Sequence, residues 1–250
     1  MKRDVLTAYL DEYLKAAKIP DACPNGLQVE GRSEIRKVIT GVSACVELFE
    51  KAVEKKADAV IVHHGLIWDF ARPVYKGGYK KRVKILLEND INLYSYHLPL
   101  DAHEELGNNI LMAKILGLYD IEPFGEHKGM LIGFKGKLNS INSDIVYDSI
   151  KANINPDTLF YPFGPDKINT VGIISGGARN DVGQAVINGL DLFLTGEAGE
   201  HTLHYVKEEG IHYAAAGHHA TERFGVRALG EHIRDKFNID VEFIDIPNPV

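Results

Sequence analysis

Cysteine is scarce in this chain: two residues, Cys23 and Cys45, among 250. They form no CxxC pair and no zinc-finger spacing, which excludes a disulfide scaffold and a thiolate metal site. Each reads as a small core or near-core residue. There is no long apolar run and no signal-like segment, so the sequence predicts no membrane helix and a reducing, cytoplasmic location. Excess positive charge is also missing. The 28 Lys and Arg against 35 Asp and Glu leave a net charge of −7 and a pI near 5.9. Such a chain has no electrostatic footprint for nucleic acid or an anionic membrane. The dense basic run KKRVK (80–84) reads as the solvated face of a helix. Neither GxxxxGK[ST] nor G-x-G-x-x-G occurs. SGGARND (175–181) is Gly-rich but lacks the phosphate-loop Lys, leaving at most a small anion nest, and TGEAGEH (195–201) has no nucleophile-elbow serine.

What is present is an ordinary globular mix, 45% hydrophobic and 25% charged, with periodicity that alternates between strand and helix. RDVLTAYLDEYLKAAK opens as an amphipathic helix. KVITGVSAC reads as a strand, VELFEKAVEKKA as a helix, DAVIVHH as a strand, KKRVKILLEND as a helix, INLYSYHLPL as a strand and NNILMAKILGL as a helix. This order implies βαβ units and a mainly parallel sheet. A looser β-α-β insert follows: KGMLIGFKGKL, then a helix SINSDIVYDSIKANI capped by Ser140, then DTLFYPFG. The first pattern then returns from INTVGIISGG onward. The expected fold is α/β, two interleaved domains built from related βαβ halves with a metal site between them. The expected limits are 1–125 plus 211–250 for one domain and 126–210 for the other.

The two halves have matching register. The interval from Ser43 to His63 equals that from Gly176 to Gly196, which sets His64 against Glu197. Laying YSYHLPLDA over AAGHHATER sets His97 against His218 and Asp101 against Glu222. Open α/β sheets bind ligands beyond the carboxyl ends of their strands. At such ends stand His63 and His64, then His97 and Asp101, then His218 and Glu222. Imidazole and carboxylate are ligands for zinc, iron, manganese, cobalt and nickel. His63, His64, Asp101, His218 and Glu222 make three imidazoles and two carboxylates, a set that suits two divalent ions about 3.5–4 Å apart. His218 and Glu222 converge if Glu222 opens the last helix, with Thr221 as its cap. Each residue also has a plainer role: Asp101 as a helix cap, Glu222 as a first-turn acid, and His103, His127, His201, His204, His212 and His232 as structural histidines.

VIVHHGLIW, YSYHLPLDAHEELGNN, LTGEAGEH, AGHHATERFGVRAL and the early PNGLQVEG together resemble the Nif-three-like dinuclear metal-binding family, in its short bacterial form, whose members are commonly called GTP cyclohydrolase I type 2 homologues. The resemblance runs in order over nearly the whole chain. It implies two metals per subunit on His63, His64, Asp101, His218 and Glu222, with Glu222 bridging, and a toroidal homohexamer. It places His97 at the site as an auxiliary group, a candidate proton shuttle, with Glu197 and His201 bordering it. The expected function is a metal-dependent hydrolase acting on a small molecule, by resemblance a purine nucleotide. The rival expectation is a non-catalytic ring protein that holds metal for delivery or scaffolding.

Overall fold

The computed structural model describes residues 1–72 and 74–250. In chain order the elements are α1 (Arg3–Tyr13), β1 (Gly26–Val29), β2 (Lys37–Ser43), α2 (Val46–Glu54), β3 (Ala59–His64), α3 (Gly77–Glu88), β4 (Asn92–Ser95), α4 (Leu98–Asp101), α5 (Asn108–Ile115), β5 (Tyr119–His127) and β6 (Met130–Asn142). Then follow α6 (Ser143–Asn153), β7 (Leu159–Pro162), β8 (Lys167–Ile173), α7 (Val182–Ile187), β9 (Leu192–Thr195), α8 (Thr202–Glu209), β10 (His212–Ala215), α9 (His218–Phe237) and β11 (Asp240–Phe243). The chain forms two compact units, Met1–Leu100 with Gly225–Ile246, and Asp101–Phe224 with Pro247–Val250. These limits differ from the division expected at 125 and 210. The cause is packing: Met112 and Ala113 of α5 lie in the second unit's core, and β10 pairs with β9 and β7 in its sheet.

In the first unit the strand order is β1-β4-β3-β2-β11. β11, β2, β3 and β4 run parallel and β1 closes the edge antiparallel to β4. Strands covered on both faces read as continuous apolar runs, and AVIV in β3 is fully buried. Its core joins Ile39, Val60, Val62 and Leu93 of the sheet to Leu48, Phe49 and Ala52 of α2 and Leu86 of α3. Leu6 and Leu10 of α1, and Leu14 after it, are buried at four-residue spacing, as an amphipathic helix requires.

In the second unit the order is β5-β6-β8-β9-β10-β7. β8, β9 and β10 are parallel; β5, β6 and β7 join antiparallel. The core gathers Ile168, Val171, Ile173, Leu192, Leu194 and Ala214 with Ile150 of α6. Ser140 does not cap α6. Strand β6 continues to Asn142, which pairs with Lys167, so the helix starts only at Ser143.

The repeat has a structural counterpart. Asp58 Oδ2 accepts from the N–H groups of Arg36 (2.7 Å) and Lys37 (3.0 Å). Asp191, 133 residues later, accepts from those of Asn169 (2.7 Å) and Thr170 (3.0 Å). Helices α2 and α7 end alike. Ala57 N bonds Ala52 O, and Leu190 N bonds Ala185 O, across the left-handed residues Lys56 (φ 56°) and Gly189 (φ 63°). The third strand keeps a different offset. Tyr96 N bonds Val62 O while Ala216 N bonds Thr195 O, so Tyr96 corresponds to Ala216. His97 therefore falls against Gly217, one residue short of the expected match to His218. No helix among the described residues is long and apolar enough to cross a membrane.

Candidate metal centre

The first unit brings three imidazoles together at the carboxyl end of its parallel strands. His63, His64 and His97 each offer a ligand atom, all within 4.8 Å of one another. Ring centroids lie 4.8 Å apart for His63 and His64, and 4.9 Å for His63 and His97. Neighbouring residues of a regular strand point to opposite faces. The strand twists here instead. Regular alternation sends the carbonyls of Val62 and His64 to the same neighbour, yet Val62 O accepts from Tyr96 N and His64 O from Ala44 N. That rotation at His63 lets both rings reach one cluster. Gly65 follows in close packing: a Cβ there would press on the Gln28 amide, whose Oε1 accepts from Leu66 N at 2.8 Å.

Each ring is held through Nδ1. His63 Nδ1 meets Tyr96 O (3.1 Å), His64 Nδ1 meets Ser43 Oγ (3.1 Å), and His97 Nδ1 meets Asp21 Oδ1 (2.8 Å). Metal-binding histidines are characteristically fixed in this way by the nitrogen that does not bind. Burial opposes ionisation of Asp21, but the hydrogen bond and charge of His97, with Asn25 and the Cys23 N–H, outweigh it and hold this carboxyl far below the usual range.

The second unit holds the acids. Asp101, at the end of α4, is buried, and its Oδ1 accepts from Asn108 Nδ2 (2.8 Å) and Ser175 Oγ (2.9 Å). It is not a helix cap. Helix α9 starts at His218, four residues earlier than expected, so His218 and Glu222 share its opening turns and Nε2 lies 3.2 Å from Oε2. Thr221 lies inside the helix rather than capping it. Its hydroxyl bonds back to Gly217 O and His218 O and accepts from Gly176 N. Gly176 has φ +64°, and a Cβ on it would lie 2.1 Å from Glu222 Oε1 and 3.1 Å from His218 Nε2. The turn Ser175–Gly176 thus touches both carboxylates, binding Asp101 through a hydroxyl and making room for Glu222. His218 Nδ1 lies 2.6 Å from Glu197 Oε1, and Arg179 Nη1 2.5 Å from Glu197 Oε2. Burial pushes the His218 imidazole down, but Glu222 and then Glu197 prevail and raise it to about 9.

His63 and His64 thus end β3, Asp101 ends α4, and His218 and Glu222 lie in the opening turns of α9; His63, His64, Asp101 and Glu222 are residues that could hold a metal. Several residues with supporting roles escaped sequence reading, among them Ser43, Asn108, Ser175, Arg179, Asp21 and Asn25. Asp21 lies 76 positions from His97 and carries no motif of its own. Asn25 belongs to PNGLQVEG, and that motif was the available signal. Of the histidines set aside, His212 stacks on Phe160 and bonds Pro165 O, and His232 stacks on Tyr13.

The family model described as DUF34/NIF3 (NGG1p interacting factor 3) matches residues 1–249. The chain belongs to the DUF34/NIF3 family. Curated relatives named "GTP cyclohydrolase 1 type 2 homolog" include one from Pasteurella multocida, 45% identical and covering 98% of both chains. Another, from Escherichia coli K12, is 44% identical over 100% of both. Among solved structures the chain is similar to protein ybgI, described as of unknown function, with TM-score 0.93, 44% identity and full coverage of both chains. It is also similar to TTHA1606 from Thermus thermophilus, with TM-score 0.92, 38% identity and full coverage of both. These DUF34/NIF3 relatives share the α/β fold along the entire chain.

Proposed function

We propose that this DUF34/NIF3 chain is a dinuclear metal-dependent hydrolase. His63, His64, Asp101, His218 and Glu222 are its ligands, with Glu222 shared, and His97 moves the proton. One observation supports this reading most: four imidazoles are each fixed through Nδ1, and Asp101 and Glu222 are buried acids with positioning neighbours. This N/O donor set fits zinc, iron, manganese, cobalt or nickel. Two such ions would supply Lewis acidity and bring the pKa of water toward neutrality. The chain's own residues do the rest. Ser175 and Asn108 hold Asp101, Glu197 and Arg179 hold His218, and His97 accepts or returns a proton at Nε2. The names of the relatives make a purine nucleotide such as GTP the first substrate to test.

The test is direct. Purified protein is analysed for metal, then assayed with GTP and a panel of phosphate esters and amides. Glu222→Gln is expected to lose both metal and turnover. If metal binds at the expected ligands but no substrate is turned over above background, the hydrolase reading fails. Ready transfer of that metal to an apo-acceptor would then favour delivery. Metal occupancy that survives His63→Ala with His218→Ala would refute the ligand set.

A further inference from the structure

One short loop holds His97 at two points. Asp21 Oδ1 lies 2.8 Å from the ring Nδ1, and Asn25 Oδ1 accepts from the His97 backbone N–H at 2.8 Å. Asp21 Oδ1 also accepts from Cys23 N at 3.1 Å. Asp21 Oδ2 accepts from Leu98 N and from Asn25 Nδ2, both at 3.0 Å. Four donors converge on one carboxylate whose side chain is 3% exposed. An ionised carboxylate accepts at both oxygens without offering a donor, whereas an amide in its place would turn an NH2 toward two of the four donors. Trp68 closes on the ring edge-on, 5.1 Å between centroids, and restricts its rotation.

We propose that Asp21 is a positioning residue that fixes His97 as its Nδ1–H tautomer and aims Nε2 at the imidazole cluster of His63 and His64. Which imidazole nitrogen holds the proton is set by the hydrogen bond the other makes. A carboxylate on Nδ1 keeps the proton there. The opposite nitrogen then presents its lone pair to a reacting group. Asn25 and the Leu98 N–H hold the carboxylate in turn, so the segment Asp21–Asn25 is a clasp for one ring and for the start of α4. The catalytic consequence rests on the hydrolase reading, but the tautomer does not.

The experiment uses full-length chelator-treated protein labelled with 15N-histidine, in which long-range 1H–15N correlations distinguish the protonated ring nitrogen from the bare one. His97 is expected in the Nδ1–H form in the wild type, and as a mixture or mainly Nε2–H in Asp21→Asn. The metal-loaded Asp21→Asn variant is expected to keep its metal and its KM while turnover falls about 10–100-fold. A wild-type His97 protonated mainly at Nε2 overturns the proposal without any variant. So does an Asp21→Asn protein whose His97 tautomer is unchanged, or one that loses metal in step with activity. Absence of wild-type turnover with the expected tautomer sinks the hydrolase reading and leaves the role of Asp21 standing. Asn25→Ala, which retains the carboxylate on the ring, is the second variant and is expected to keep the Nδ1–H form.

Discussion

Gly176 shows how much one residue can decide. Its φ of +64° is a left-handed conformation that costs an L side chain roughly 1–2 kcal/mol. Its missing Cβ also leaves space for Glu222 Oε1. Gly176→Ala is therefore expected to lower stability by about that amount and to displace Glu222, reducing bound metal. Thermal unfolding together with metal analysis checks both, and a variant with full metal content would show that this turn does not position Glu222. Tyr94 gives a pH-dependent case. Burial pushes its phenol up to about 12, against the partial relief of a hydrogen bond with Thr7 at 3.0 Å. A raised folded pKa means the contribution is present in full below the unfolded value of 10 and is lost as pH rises toward 12. Burial also raises the phenols of Tyr96 and Tyr213, so alkaline difference absorbance should show several late phenolates, of which Tyr94→Phe should remove one and reduce the stability loss over this window.

At the scale of elements, the repeated α-to-β junction is what both units share. Each uses a carboxylate to tie the start of one strand to its neighbour, with Asp58 in the first unit and Asp191 in the second. A charge-assisted bond of this kind is worth about 1.5–3 kcal/mol where it is shielded from water and less where it is exposed, as at Asn169. Asp58→Asn and Asp191→Asn are each expected to destabilise by an amount of that order, read by denaturant midpoint. The same junctions differ at one point. Glycine takes the left-handed turn after α7, while Lys56 takes it after α2. Lys56→Gly should therefore raise stability by up to about 1 kcal/mol, less the unfolded-state entropy that glycine adds. An unchanged or lowered midpoint would show that the Lys56 side chain makes a compensating contact.

At the scale of the molecule, metal and fold should be linked. A ligand that binds only the native state stabilises it by about 2.7 kcal/mol at a hundredfold excess over Kd. Chelation is thus expected to lower Tm, and re-addition of a divalent ion to restore it. A Tm insensitive to both would count against the metal centre. The ring assembly implied by the family resemblance is tested by sedimentation, which should return six times the chain mass of 27.7 kDa.

Much of this protein could be read without coordinates. Alternating periodicity named the α/β class because each helix stripe and each apolar strand needs a partner to bury against. The pairings of His with an acid at strand ends named the candidate ligands because few other arrangements place such groups beside a crevice. Local sequence could not locate the division of the chain, since that depends on which core Met112 and Ala113 fill. Nor could it set the register of the third strand, where one residue separates the two halves after Tyr96 and Ala216. Tertiary structure alone decided how two consecutive histidines meet, through a rotation at His63 that sends the carbonyls of Val62 and His64 to different neighbours. It alone brought Asp21 to His97 across 76 residues of chain. Periodicity is a short-range property and survives in sequence. Hydrogen bonds between distant segments exist only once the backbone has closed around them.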